Sequence, residues 1–356
     1  MIIDYKKRIF QVKWIILLVA TFLVAGCNLA PSSSITSTPA ISTPIYTAAS
    51  PVTGVYTSPS PVAATALPEL IGALTPSPII ETTISPNQTP TLPAITPTRL
   101  SPEDWKTLPV IPLISQTARL IYQHGLELGN DPHAFSKIGD CQSITTYFLS
   151  NFDTPGTYSL GDHQSLQDTI EWYSGSFSRN SLAVKGGFNA AAILSPLRAD
   201  PKQCKSNENP VACELRLNHP TVAIISLEEW WAGHPENYEK YMRQIIEYTI
   251  TRGVVPILAT KADNLEGNYL INQTIASLAQ EYDIPLWNFW AAVQPLPNHG
   301  LSAFDVYGEV DLFHLTHSVG YYNFDDPIAS QSGWSMRNLT ALQALDAVRR
   351  GLSELP

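Results

Sequence analysis

The chain has 356 residues, with 21 Lys and Arg against 31 Asp and Glu, a formal net charge of −10 at pH 7. An acidic balance of this size disfavours nucleic acid or anionic lipid as a partner, because like charges repel. Four cysteines exclude a disulfide-dense miniprotein, and 44% apolar residues are enough for a large buried core.

Residues 1–27 read as a lipoprotein-type signal peptide. Lys6, Lys7, Arg8 and Lys13 form a basic start, Trp14 opens an apolar run that ends at Ala25, and Val24-Ala25-Gly26-Cys27 resembles a lipobox. The run is about a dozen residues, short of the ~20 that span a bilayer as a helix. If the lipobox is processed, Cys27 becomes an acylated N-terminus. The protein is then extracytoplasmic, held on the outer face of the cell membrane through its lipid alone. The alternative is an uncleaved signal anchor.

Residues 28–100 contain 13 Pro and 24 Ser or Thr in 73 positions, with only Glu69, Glu81 and Arg99 charged. Such a composition offers too little apolar surface to offset backbone entropy, so a disordered tether is expected. Residues 101–356 suffice for one α/β domain, expected to be a monomer. Its 16 basic and 28 acidic residues leave a net charge of −12.

Ser101-Pro-Glu-Asp predicts a capped short helix, and a longer helix is expected over 115–128. A strand over 134–139 is expected to turn into a helix over 143–149. Helices follow over 166–172 and from 190 to 194. The apolar run 221–227 predicts a central parallel strand buried on both faces. A helix over 238–251, a strand over 254–259, a helix over 268–281, a short strand over 285–290 and a helix over 338–350 complete the pattern. Residues 317–332, rich in Tyr, Phe and Asp, read as an insertion at the rim, placed to form a lid. Strands alternating with helices predict a three-layer α/β/α sandwich on a parallel sheet, with ligands at the carboxyl ends of the strands.

Cysteine spacing adds a covalent expectation. Cys204 and Cys213 lie nine apart in a polar, turn-rich stretch that suits a local disulfide. A zinc site is the competitor, but no His or Cys pair accompanies them. With Cys27 assigned to lipid, Cys141 is the remaining thiol.

Two segments carry candidate chemistry, Gly139-Asp140-Cys141 and Asp311-Leu-Phe-His314. A thiol at a helix start would feel the positive end of the helix dipole, which favours thiolate. An aspartate three residues before a histidine can orient an imidazole base. Ser143 is the other possible nucleophile, but two residues further on, roughly 200° around the expected helix, it projects to another side, and His317 is a second histidine without an acidic partner at that spacing. These segments resemble the first and last blocks of the SGNH (GDSL) hydrolase superfamily, with Cys141 where that family has serine. The resemblance spans roughly residues 134–350. It implies a flavodoxin-like sheet and hydrolysis of ester bonds, with acyl or acetyl esters of carbohydrates as the substrate class and neither cofactor nor metal. Cys141 would be the nucleophile, His314 the base and Asp311 its orienter.

The resemblance also implies an oxyanion hole from the backbone N–H of Cys141 and a glycine N–H, here Gly187, with Gly186 its near alternative. The family's third donor is an asparagine after the third strand. This chain has Glu228-Glu229-Trp230-Trp231 there, so Trp230 or, in a shifted register, Glu228 stands at that position. Lys261 and Asp263, in the next loop, are expected on the substrate side of the same edge. The second functional class open to this chain is a catalytically weak hydrolase fold that binds surface glycans.

Overall fold

The computed structural model describes residues 101–227, 235–304 and 313–353, apart from Pro102. The architecture is mixed α/β, with seven α-helices and one four-stranded, all-parallel sheet among the described residues. The strands are β1 (Asp131–Gly139), β2 (Pro220–Ser226), β3 (Val255–Ala259) and β4 (Leu286–Trp287). The helices are α1 (Gln116–Glu127), α2 (Gln167–Trp172), α3 (Pro210–Asn218), α4 (Pro235–Thr251), α5 (Leu270–Glu281), α6 (Phe289–Val293) and α7 (Gly333–Ser353).

All of β2 and β3 is buried, as is the second half of β1, so the apolar runs are continuous rather than alternating. Contacts place α1 and α2 with α7 on one face of the sheet, and α3, α4 and α5 in series on the other. The helices are thus the two outer layers of an α/β/α sandwich. Two of them start at capping side chains: Ser115 caps α1 through Ala118 N–H, and Asn209 caps α3, whose first residue is Pro210.

Strands β1 to β4 lie side by side in chain order. One further parallel rung lies on the outer edge of β1, where Gly139 pairs with Val184, and Gly139 N–H donates to Ala183 O. Counting that rung as a second strand gives the order 2-1-3-4-5, the flavodoxin-like arrangement. It reverses direction at β1, and this topological switch point is where open α/β sheets place their ligand crevice.

Several elements depart from the sequence expectations. The helix expected over 143–149 is replaced by a single 3₁₀ turn, Cys141–Ser143, followed by turns. Thr145 Oγ1 takes a hydrogen bond from Lys137 Nζ and donates to Arg179 O, while Leu149 N–H donates to Asn338 Oδ1. Side chains that bind elsewhere in this way compete with a helical ladder. The helix expected from 190 is a 3₁₀ turn, Ala192–Leu194. The strand expected over 285–290 stops at Trp287, because Asn288 caps α6 through Ala291 N–H. Cys213, expected in a turn, lies within α3. The terminal helix α7 starts five residues before the expected position, at Gly333.

The segment expected as a lid is stitched to the body instead. Ser159 N–H donates to Tyr322 O, Phe324 N–H donates to Ser159 O, and Ser159 Oγ donates to Asp325. Tyr322 and Ala329 are buried. Among the described residues no helix is long and apolar enough to cross a membrane.

Candidate functional site

The site begins where β1 ends. Gly139 is required there, because a Cβ would lie 2.2 Å from Ser143 Oγ and 2.6 Å from Ser226 O. The chain turns immediately: Asp140 is buried, and its carboxylate accepts the Gln142 N–H at 3.0 Å. This capping interaction closes the 3₁₀ turn that carries Cys141. Ser143 points back toward the sheet, with its hydroxyl 3.5 Å from Ser226 O. It does not face the same way as Cys141.

Cys141 is half-buried, and its Sγ lies 3.9 Å from His314 Nε2. Two residues 173 positions apart in sequence therefore meet as a thiol–imidazole pair at the carboxyl edge of the sheet. The His314 loop is held in place by backbone contacts. Leu301 and Leu315 form an antiparallel bridge, and Ser302 N–H donates to His314 O at 2.8 Å. Asp311, expected to orient the imidazole, lies outside the described residues, as do Trp230, Glu228 and Cys27.

The dipole argument for Cys141 loses its basis, since a three-residue 3₁₀ turn has almost no aligned peptide dipoles to sum. What can activate the thiol in this geometry is the imidazole. Transfer of the Sγ proton to Nε2 yields a thiolate beside an imidazolium, the form that attacks carbonyl carbon.

Gly187 reaches the same edge. Lys185 N–H donates to Gly139 O, so residues 183–187 run alongside the turn that bears Cys141. Gly187 has φ +79°, a conformation that glycine alone adopts without strain, and a side chain there would meet no neighbour. Gly186 packs nearer to Ile144, whose Cδ1 would be 3.7 Å from an added Cβ.

Lys261 and Asp263 stand at the carboxyl end of β3, with their side chains turned into the fold. Both are fully buried, and Lys261 Nζ pairs with Asp263 at 2.9 Å and with Glu266. Burial lowers the Lys261 pKa, but the carboxylates of Asp263 and Glu266 outweigh it, leaving the net shift upward. These charges hold the loop after β3 together. Removing one partner of such a buried pair would leave an uncompensated buried charge, which is strongly destabilising.

His317, the competing histidine, is packed against rings. Tyr147, Tyr321 and Trp334 surround it at centroid distances of 5.3, 5.6 and 5.6 Å. Burial, with a contribution from the charge of His314, lowers its pKa. The neutral ring is thereby favoured, and His317 takes no part in the thiol contact. The Cys204–Cys213 disulfide expected from the spacing is formed.

Two residues escaped sequence reasoning. Gln142 is fully buried: its Nε2 donates to Phe313 O at 3.0 Å, and among the described residues its Oε1 has no hydrogen-bond partner. An unsatisfied buried oxygen of this kind costs about 1–3 kcal/mol. Arg337, also fully buried, donates from Nε to Gln142 O at 3.0 Å and from Nη2 to Ser226 Oγ at 2.6 Å. Its guanidinium lies 5.0–5.3 Å from the ring centres of Phe148, Trp287 and Phe289. The adjacency of Gln142 to the motif was visible in the sequence, but nothing in the sequence marked Arg337.

No known protein-family model matches this chain, and no curated protein is significantly similar to it.

Proposed function

We propose that the protein is an SGNH-like hydrolase acting on ester bonds, anchored outside the membrane through Cys27. The observation that carries this reading is the 3.9 Å contact between Cys141 Sγ and His314 Nε2 at the switch point of a parallel sheet. In this mechanism His314 Nε2 takes the thiol proton as Sγ attacks the ester carbonyl. The tetrahedral oxyanion is met by the N–H groups of Cys141 and Gly187, with the Trp230 indole N–H as a third donor. Collapse breaks the C–O bond, and the imidazolium returns its proton to the leaving alcohol. Water, deprotonated by His314, then attacks the thioester, releasing the acid and restoring the thiol. Asp311 holds the imidazole in the productive orientation. Acyl or acetyl esters of carbohydrates are the proposed substrate class, resting on the family resemblance.

The test is hydrolysis of p-nitrophenyl acetate by purified protein. Cys141→Ala and His314→Ala should each reduce turnover at least about 10³-fold, the order expected when a nucleophile or its base is lost. Equal rates in the wild type and both variants would remove this reading.

A second reading is a catalytically weak binding module for surface glycans. It is favoured by Trp230 standing where the family supplies an asparagine, since one lost oxyanion donor costs about 10²–10³ in turnover. Acetylated oligosaccharide that binds but is not hydrolysed would select it.

A further inference from the structure

Gln142 joins the nucleophile turn to the loop that carries His314. Its backbone N–H is fixed by Asp140, its carbonyl by Arg337, and its side-chain amide by the carbonyl of Phe313, the residue immediately before His314. The side-chain bond is the informative one. A fully buried amide whose oxygen has no partner among the described residues is unfavourable where leucine or methionine would fill the same space without an orphaned polar atom. The single bond that the amide makes in return runs from the nucleophile turn to the histidine loop.

That bond ties the Cys141–Ser143 turn directly to the backbone of the segment that carries His314. The 302–314 and 301–315 contacts tie the same histidine loop to residues near α6 and α7. A separation of 3.9 Å is long for a hydrogen bond, so a small outward movement of the loop weakens the pair further.

We propose that Gln142 is a positioning residue that sets the separation of Cys141 Sγ from His314 Nε2, and with it the formation of the thiolate. The inference deepens the hydrolase reading, and it rests on Cys141 and His314 acting as a coupled pair. The amide acts through His314 and does not touch substrate.

The experiment compares full-length wild type with Gln142→Leu, Gln142→Met and His314→Ala. The rate of iodoacetamide labelling of the Cys141 peptide is followed by mass spectrometry from pH 5 to pH 10. In the wild type the labelling midpoint should fall below the free-cysteine value of about 8.5. His314→Ala should raise it, and Gln142→Leu should raise it most of the way to the His314→Ala value. Hydrolysis of p-nitrophenyl acetate by Gln142→Leu should lose about 10²-fold in kcat with KM unchanged, as expected for a misplacement near 1 Å.

The methionine variant guards against misfolding, because it keeps length and volume while removing the donor. Thermal melts and circular dichroism select which of the two is scored. A folded variant with the wild-type labelling midpoint overturns the proposal. Coincident profiles for wild type and His314→Ala overturn it too, since no coupling would then exist for Gln142 to set. A wild type that hydrolyses no ester, yet shows the His314 and Gln142 shifts, overturns the hydrolase reading and supports the positioning role.

Discussion

Lys137 is sealed inside β1, where its ammonium donates to Thr145 Oγ1 and Phe177 O. Burial, reinforced by the nearby Arg179 charge, pushes its pKa down to about 7, while Glu214 and Asp153 pull weakly the other way. In the unfolded chain the same lysine titrates near 10.5. Between these values the unfolded state holds a proton that the folded state has released, so stability from this residue rises with pH. Its penalty is complete below pH 7 and gone above about 10.5. Lys137→Met removes the titration. The wild type should therefore gain stability on the variant steadily from pH 7 to pH 9.5, as measured by urea denaturation at each pH. A constant difference across that range would refute the assignment. The sequence offered no hint of this lysine, because a charge within a strand reads as solvent-facing until its neighbours are known. Cys141 and His314 were legible because each sits in a short local pattern. Gln142 and Arg337 were not, since their roles exist only across contacts between distant segments.

At the scale of elements, the buried strands and long helices were legible because their apolar periods are set by the backbone geometry that they adopt. The turn after Cys141 was misread for a specific reason. Its helix-compatible sequence is overruled by Lys137, Arg179 and Asn338, all outside the segment. The short edge rung at Val184 was equally invisible, since a single pair leaves no periodicity. Helix α3 shows how a covalent constraint and a buried network meet. Cys213 anchors it to Cys204, and the next residue, Glu214, is buried against Ser136 of β1 and Arg179. Closing a loop of sequence separation 9 contributes roughly 2–3 kcal/mol in the chain-entropy model. Cys204→Ser with Cys213→Ser should lower the unfolding free energy by about that amount while leaving the Cys141 labelling profile unchanged. A loss well below 1 kcal/mol would mean that the Arg179–Glu214 pair and the Asn209 cap hold α3 without the covalent link.

For the whole molecule, the question is what the first hundred residues do for the domain that follows. The basic start, the short apolar run and the Cys27 motif are a sequence argument, and they fall outside the described residues. They make a prediction with a sharp readout. Mature protein should begin at Cys27 with an acylated N-terminus, so its intact mass should lack residues 1–26 and carry the added lipid. Cys27→Ser should abolish the lipid and leave either soluble protein or an unprocessed precursor. The melting temperature of the folded domain should not move, because Cys27 precedes it by more than seventy residues of Pro-, Ser- and Thr-rich chain. Membrane-bound wild type that retains its first 26 residues would replace the lipid anchor with an uncleaved signal anchor. The hydrolase proposal would survive that result, since an anchored N-terminus of either kind places the same domain outside the membrane. A wild type that is soluble and unlipidated would remove the proposed location itself. The carbohydrate-ester substrate would then lose the surface setting that makes it reasonable, and the thiol–imidazole pair would have to be judged on hydrolysis alone.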